Sequence, residues 1–362
     1  MIDLQFNFPM LVGQDAVWAE HVRASLEAQA REGMAALRPS FRGGGEDRLK
    51  EMAAAWLGEV PQRVALTCSG HHGCLVALMA AELAGKRVVV EEVTYTGFVE
   101  QARMLGVELV ACAMDGEGLR ADALREICER ARVAGRPIAA VFMMPTLHNP
   151  VGCVQSMERR RAVVEVVREF EVVVIEDDAY GYLLPESAAV ESYAKLAPER
   201  TFYVRGLSKS FAPVVRTGLM VVPVEYAAAV ANAVKQSSSG VSRVFAGASC
   251  TMLADGTLDR VMAAKRVEGA RRQAAARELM EGLEVKAGPN AWHLWVSLPE
   301  GLSPEDAERR CEERGVLVSG GNWFAAPGAR VPRAVRLGLG GEVEFERAME
   351  GVRVFVEVVR AR

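Results

Sequence analysis

One lysine sits in the run Val204-Arg205-Gly206-Leu207-Ser208-Lys209-Ser210, with Arg216 seven positions further on. Short apolar runs flank it, Thr201 to Val204 and Leu219 to Val222, and both read as buried strands. Lysine is seldom buried unless something engages its amine. In a tight Gly/Ser turn between core strands it can form a Schiff base with an aldehyde cofactor, or it can be a solvated loop lysine. Further polar clusters follow other apolar runs. Ser69-Gly70-His71-His72-Gly73 follows Val64 to Cys68, and free N–H groups at a helix start offer a seat for phosphate. The histidine pair also raises a metal. Adjacent side chains seldom face one ion, and no His-x-x-x-His spacing occurs, so no metal site is expected. Tyr95 follows Arg87 to Glu91; its ring could stack on a flat group or simply pack. Asn149 offers a neutral amide after Ile138 to Met143. Glu176-Asp177-Asp178-Ala179-Tyr180 follows Val172 to Ile175. Asp178 reads as a helix cap, and Asp177, nearer the strand end, as an acid pointing into a cleft.

These residues need elements to hold them. From Val64 onward apolar runs of four to seven alternate with helical segments, which predicts a mostly parallel sheet covered on both faces. Ligands in such sheets sit beyond the carboxyl ends of the strands, where every cluster above falls. Helices are predicted from Val17 to Leu37, Asp47 to Leu57 and Cys74 to Leu83, and later from Ser156 to Phe170 and Thr257 to Leu283. Arg159-Arg160-Arg161 reads as a solvated helix face. After Val222 the rhythm changes to a smaller α+β unit. Its strands are expected near Ala291 to Leu298, Val316 to Ser319 and Ala334 to Leu339. In its last helix Phe345, Met349, Val352, Val356 and Val359 share one face. The expected organisation is an N-terminal segment (1–45) that packs with the small domain or a partner subunit, a large domain (46–248) and a small C-terminal domain (249–362).

The chain has 362 residues, half of them hydrophobic and a quarter charged, with net charge −4. That balance supports a sizeable core and argues against nucleic acid or an acidic membrane as partner. Met1-Ile2-Asp3-Leu4-Gln5 lacks the features of a signal peptide, and no apolar run reaches membrane-span length. Seven scattered cysteines without Cys-x-x-Cys spacing suggest reduced thiols in a cytoplasmic protein.

Taken together, Pro145-Thr146-Leu147-His148-Asn149-Pro150-Val151-Gly152, the Glu176 to Tyr180 run, Ser208-Lys209 with Arg216, and Arg336-Leu337-Gly338-Leu339 carry a resemblance. In order and spacing they resemble the fold type I enzymes of the class I/II aminotransferase family, which depend on pyridoxal 5′-phosphate (PLP). The nearest members are kynurenine/2-aminoadipate-type aminotransferases and the aminotransferase domain of MocR-type regulators. The resemblance runs from about Gly45 to the C-terminus. It implies an α/β fold with a mostly parallel seven-stranded sheet in the large domain and a smaller α+β domain. It implies a homodimer that moves an amino group between an L-amino acid and a 2-oxo acid. Lys209 would hold PLP as a Schiff base and move the proton between Cα and C4′. Asp177 would pair with the pyridinium nitrogen, Asn149 and Tyr180 with the phenolic oxygen, and Tyr95 would stack on the ring. Gly70, His71, His72, Ser208 and Arg216 would hold the phosphate end, with Arg216 also favouring the neutral lysine. Arg336, with Asn149 nearby, would take the substrate carboxylate.

Three positions depart from the family pattern. Gly206 stands where a phosphate-touching Ser or Thr is common. His71 replaces a small or hydroxyl residue. Ser40 and Phe41 occupy the place of a tyrosine that reaches the neighbouring subunit. With no winged helix expected before the fold, a MocR-type regulator is not expected. Other PLP reactions use the same lysine and aspartate (a β-lyase, racemase, decarboxylase or oxidase), and a non-catalytic PLP-binding module would also keep the lysine. Phe41, Trp292 and Trp323 hint at an apolar or aromatic substrate, the alternative for each being core packing.

Overall fold

The structure, a computed structural model, describes residues 1–38 and 45–361. Ser40 and Phe41 lie outside the described residues.

Seven strands form the central sheet, in the spatial order Val64–Thr67, Gly218–Val221, Thr201–Gly206, Val173–Asp177, Ile138–Met143, Arg87–Glu91, Glu108–Cys112. Gly218–Val221 runs antiparallel to both of its neighbours, and the remaining neighbours pair in parallel. Side chains alternate across a strand, so a sheet buried on both faces needs apolar residues at every position. Val88, Val90, Ala140, Phe142 and Ile175 enter one core, whereas Val89, Val141, Met143 and Val174 enter the other. This two-sided burial explains the unbroken apolar runs in the sequence.

Several elements differ from expectation, each for a local reason. The strand after Val172 continues to Asp177 instead of ending at Ile175. Its buried acid Glu176 is met by Arg160 Nη1 at 3.4 Å and by the Tyr193 N–H at 2.8 Å. Burial still pushes Glu176 up to about 8, opposed by Arg160. Arg160 is therefore no solvated residue. It is 0% exposed, and also donates to the Pro145 carbonyl and Thr146 Oγ1 behind the Asn149 loop. Gly33 (φ +60°) ends the first helix, Gln14–Glu32, and a 3-10 turn, Gly33–Leu37, follows. Lys209 rides not in an open loop but in a one-turn helix, Leu207–Ser210. The helix Arg243–Ala254 has no counterpart in the sequence reading. Its Ala246, Ala248, Cys250, Met252 and Leu253 are all buried, so no polar stripe reveals a helical period.

A second core lies under the four-stranded sheet ordered Val285–Lys286, His293–Ser297, Ala334–Gly338, Ser319–Gly320. Met349, Val352, Val356 and Val359 of the last helix, Phe345–Arg360, fill this core, and Phe345 packs at its edge. The N-terminus joins the same unit. Ile2–Asp3 pairs in parallel with Val316–Leu317, and Ile2 and Leu4 are buried in that core. The helix Thr257–Leu279 serves both cores, with Leu258 and Met262 in the first and Ala276 in the second.

Candidate active site

At the carboxyl ends of the central strands lies a cavity of about 500 Å³. Strand register sets its floor. Asp177 pairs with Val204 and Gly206 with Gly218, so Asp177 ends its strand beside the turn that lifts Lys209. Gly70, His71, Tyr95, Asn149, Asp177 and Tyr180 line the cavity, as do Ser208, Lys209, Arg216 and Arg336.

The Lys209 amine donates to the Asn7 carbonyl at 2.7 Å and lies 3.8 Å from the centre of the Phe8 ring. Burial draws it down to about 7, with Arg336 adding to the effect and Asp177 opposing it. Arg216 is not among the causes; the cation that favours neutral Lys209 is Arg336. Asp177 is pushed up to about 7, chiefly by burial and then by the Asp178 charge, while Lys209 pulls it back. Two carbonyls hold the turn from below. Tyr182 donates its hydroxyl to the Lys209 carbonyl at 2.8 Å, and Lys265 Nζ donates to the same oxygen at 3.0 Å and to the Phe211 carbonyl.

Arg336 comes from the second sheet and is 8% exposed. Its Nη1 donates to Asn149 Oδ1 at 2.8 Å, its Nη2 to the Gln5 carbonyl, and the guanidinium lies 4.8 Å from the Phe324 ring centre. Its buried Nε has no partner among the described residues. Because Asn149 Oδ1 accepts from Arg336, the Asn149 amine end is the one free to donate.

The anion seat is built by a helix that starts earlier than expected, at Gly70 rather than Cys74. Ser69 caps it, its hydroxyl accepting the His72 N–H at 3.0 Å. The histidines part company here. His71 Nδ1 lies 3.3 Å from the Tyr95 hydroxyl at the cavity wall, and burial with the nearby Arg216 charge lowers its pKa. The His72 side chain turns away. Its Nδ1 accepts the Cys68 N–H at 3.0 Å and its Nε2 lies 2.8 Å from Ser237 Oγ. With its N–H also taken, His72 is a packing residue of the helix and not a phosphate ligand. Gly206 has a steric reason. A Cβ there would come within 2.7 Å of the Gly70 nitrogen, so a hydroxyl residue does not fit while the helix start stays close to the strand end. Arg216 stands at the mouth in a left-handed conformation (φ +44°).

Two walls carry no signal in the sequence. Gln5, Asn7 and Phe8 reach the cavity from the N-terminal segment, and Ser319 and Phe324 from the second unit. Behind them runs a buried polar chain. Glu91 Oε2 lies 3.0 Å from His148 Nε2, and the His148 carbonyl meets His293 Nε2 at 3.1 Å. Of the aromatic candidates, Trp323 lines the cavity. Trp292 does not; it is fully buried, with its indole N–H on the Lys265 carbonyl. Among the described residues no group of three His, Cys, Asp or Glu side chains could hold a metal ion.

This donor set fits PLP. It pairs an amine for the aldehyde with a buried acid for the ring nitrogen, an aromatic wall, and a capped helix start with Ser208 and Arg216 for the phosphate. The family model for aminotransferase class I and II matches residues 1–352. The 2-aminoadipate transaminase of Thermus thermophilus is 26% identical over 314 residues, 84% of this chain and 77% of that protein. A Bacillus subtilis protein described as the uncharacterized HTH-type transcriptional regulator YdeF is 24% identical over 290 residues. That match covers 80% of this chain and 61% of the regulator, so the chain spans less than two thirds of it. An archaeal alanine:glyoxylate aminotransferase structure superimposes with a TM-score of 0.88 at 21% identity, over 99% of this chain and 91% of that one. The α-aminoadipate aminotransferase LysN of Thermus thermophilus, solved with a phosphopyridoxyl-leucine, gives 0.85 at 24% identity, over 99% and 92%. The chain belongs to the aminotransferase class I and II family, and its fold is that of the PLP-dependent fold type I enzymes.

Proposed function

We propose that this chain moves an amino group between an L-amino acid and a 2-oxo acid, with PLP held on Lys209. One observation carries the reading: the Lys209 amine lies in a cavity with Asp177 and Arg336, drawn down to about 7. A neutral amine is a nucleophile near pH 7, and an ammonium is not. Bound there, PLP supplies an electron sink for charge at the substrate Cα. Asp177 keeps the ring nitrogen protonated, since a cation against it restores the carboxylate that burial disfavours. Tyr180 and the Asn149 amine end donate to the phenolic oxygen, and Tyr95 covers the ring. The N–H groups at Gly70 and His71, with Ser208 and Arg216, hold the phosphate. Arg336 turns its planar fork to the substrate carboxylate, exchanging the Gln5 carbonyl for it. Displaced from PLP by the substrate amine, Lys209 would be the base that carries the proton from the substrate Cα to the cofactor's C4′.

Phe6, Phe8, Met144, Trp323 and Phe324 add apolar surface to a wall that Gln5, Asn7, Thr96 and Ser319 also line. Once Lys209, Arg216 and Arg336 are engaged, the described lining offers no further arginine or lysine for a second carboxylate. This supports an apolar or aromatic amino donor. The family resemblance alone supports a homodimer. No helix among the described residues is long and apolar enough to cross a membrane, and the seven cysteines are free thiols. The thiols support a reducing, cytoplasmic setting.

The test is turnover of a panel of amino acids with and without 2-oxo acid. Sustained turnover should need both substrates and favour apolar or aromatic donors. Steady product from the amino acid alone overturns transamination, and a preference for acidic donors overturns the donor class.

A further inference from the structure

The N-terminal segment brings to the cavity wall an amide that none of the roles above employs. Asn7 is 2% exposed, and its Nδ2 lies 3.3 Å from His293 Nδ1. His293 is itself fully buried. Its Nε2 meets the His148 carbonyl, which can only accept, so Nε2 carries the proton and Nδ1 is an acceptor. Burial, with the Arg336 charge second, pushes His293 down to about 3 and keeps it neutral. The amide is thereby oriented, nitrogen toward His293 and oxygen away, and that oxygen has no partner among the described residues. Asn7 also lies beside the Tyr180 phenol and favours its ionised form. The Tyr180 ring lies against His293, 5.0 Å between centroids. An oxygen that accepts a hydrogen bond becomes a stronger donor through its own hydrogen.

We propose that Asn7 is a positioning residue for the cofactor. Held by neutral His293, it donates to the Tyr180 oxygen and aims the phenol's hydrogen at the cofactor's phenolic oxygen. The inference rests on the assignment of Tyr180 to that oxygen. The other groups facing the phenol are Arg336 and Asp177, with Lys209 Nζ 6.0 Å from its ring centre and the neutral phenols of Tyr95 and Tyr182 nearby. Lys265 reaches the Lys209 carbonyl from below. All of these remain in the Asn7 variants, so a difference reports on the amide.

Absorbance of the PLP-loaded protein against pH supplies the test, since the near-visible band shifts when the Lys209 nitrogen on the cofactor gains a proton. A donor on the phenolic oxygen steadies its anionic form and lets the nitrogen hold its proton less tightly. Tyr180→Phe should therefore raise the midpoint. Asn7→Leu, which keeps the branched shape but not the polar atoms, should raise it by a smaller step of about half a unit, the size expected for one modest hydrogen bond. Asn7→Ala should shift it in the same sense, which guards against poor accommodation of leucine. The Tyr180→Phe/Asn7→Leu double variant should match Tyr180→Phe alone. If Tyr180→Phe moves the midpoint and both Asn7 variants leave it in place, the role of Asn7 is refuted. If the double variant adds the two shifts, Asn7 does not act through Tyr180. An unmoved midpoint in Tyr180→Phe removes the Tyr180 assignment first, and this inference with it.

Discussion

Lys209 owes its chemistry to its surroundings. Lysine in water holds its proton to about pH 10. Buried beside Arg336, this amine is drawn down to about 7. The neutral fraction grows as pH rises, so capture of PLP by the apoprotein should accelerate through pH 7 and then level off. Stopped-flow absorbance would read the rate; a climb that continues to pH 10 would mean an ordinary lysine. Arg336 is buried, and the carboxylate it takes would be desolvated with it. Arg336→Ala should cost roughly 2–5 kcal/mol in kcat/KM for the amino acid, read from steady-state kinetics with saturating 2-oxo acid. A loss below threefold would remove Arg336 from substrate binding.

Between elements, two close approaches shape the site. The strand Thr201–Gly206 meets the start of the helix Gly70–Ala80 with no room for a Cβ at Gly206. Gly206→Ser should push the helix start away, weakening PLP binding and lowering stability by about 1–3 kcal/mol, as overpacking does. Fluorescence titration with PLP and denaturant unfolding would check both, and unchanged values would show that the approach can relax. The second contact runs from Thr257–Leu279 to the Lys209 turn through Lys265, which is 0% exposed. Its two acceptors keep other donors, Tyr182 on the Lys209 carbonyl and Gln14 on that of Phe211. Lys265→Met should therefore lower stability by only about 1–2 kcal/mol, measured by chemical denaturation. A larger loss would mean that those donors cannot hold the turn.

Across the whole molecule, the cavity takes walls from both cores and from the N-terminus. Lys209 and Asp177 stand on the central sheet and Arg336 on the second one, with Gln5 and Asn7 bonded to Arg336 and Lys209. Any shift between the two units changes the distance between amine and carboxylate clamp. Light scattering during gel filtration should return a mass near twice the 39.2 kDa chain; a stable, active monomer would contradict the homodimer.

How much of this was legible in the chain follows from the range of each interaction. Apolar runs and their spacing specify strands and helices locally, so the sheet and the strand ends could be read directly, with Lys209, Asp177 and Asn149 beyond them; Arg336 came from the family resemblance. Asp177 ends its strand, whereas Lys209 stands on a one-turn helix, Asn149 in a loop and Arg336 within a strand of the second sheet. Other features depend on what approaches from far along the chain. The Asn7 carbonyl meets an amine 202 positions away, and its side chain a histidine 286 positions away. His72 and His71 are neighbours of one type, yet helix geometry turns one to Ser237 and the other to Tyr95. Arg160 looks like a surface charge until the Glu176 carboxylate is found buried beside it. Gly206, a departure from the family pattern, becomes a requirement once the Gly70 backbone lies against it. The sequence by itself determined the chemistry and the elements that bear it. Only the tertiary structure decided which polar groups meet, because burial and close approach belong to pairs of distant segments and not to either one alone.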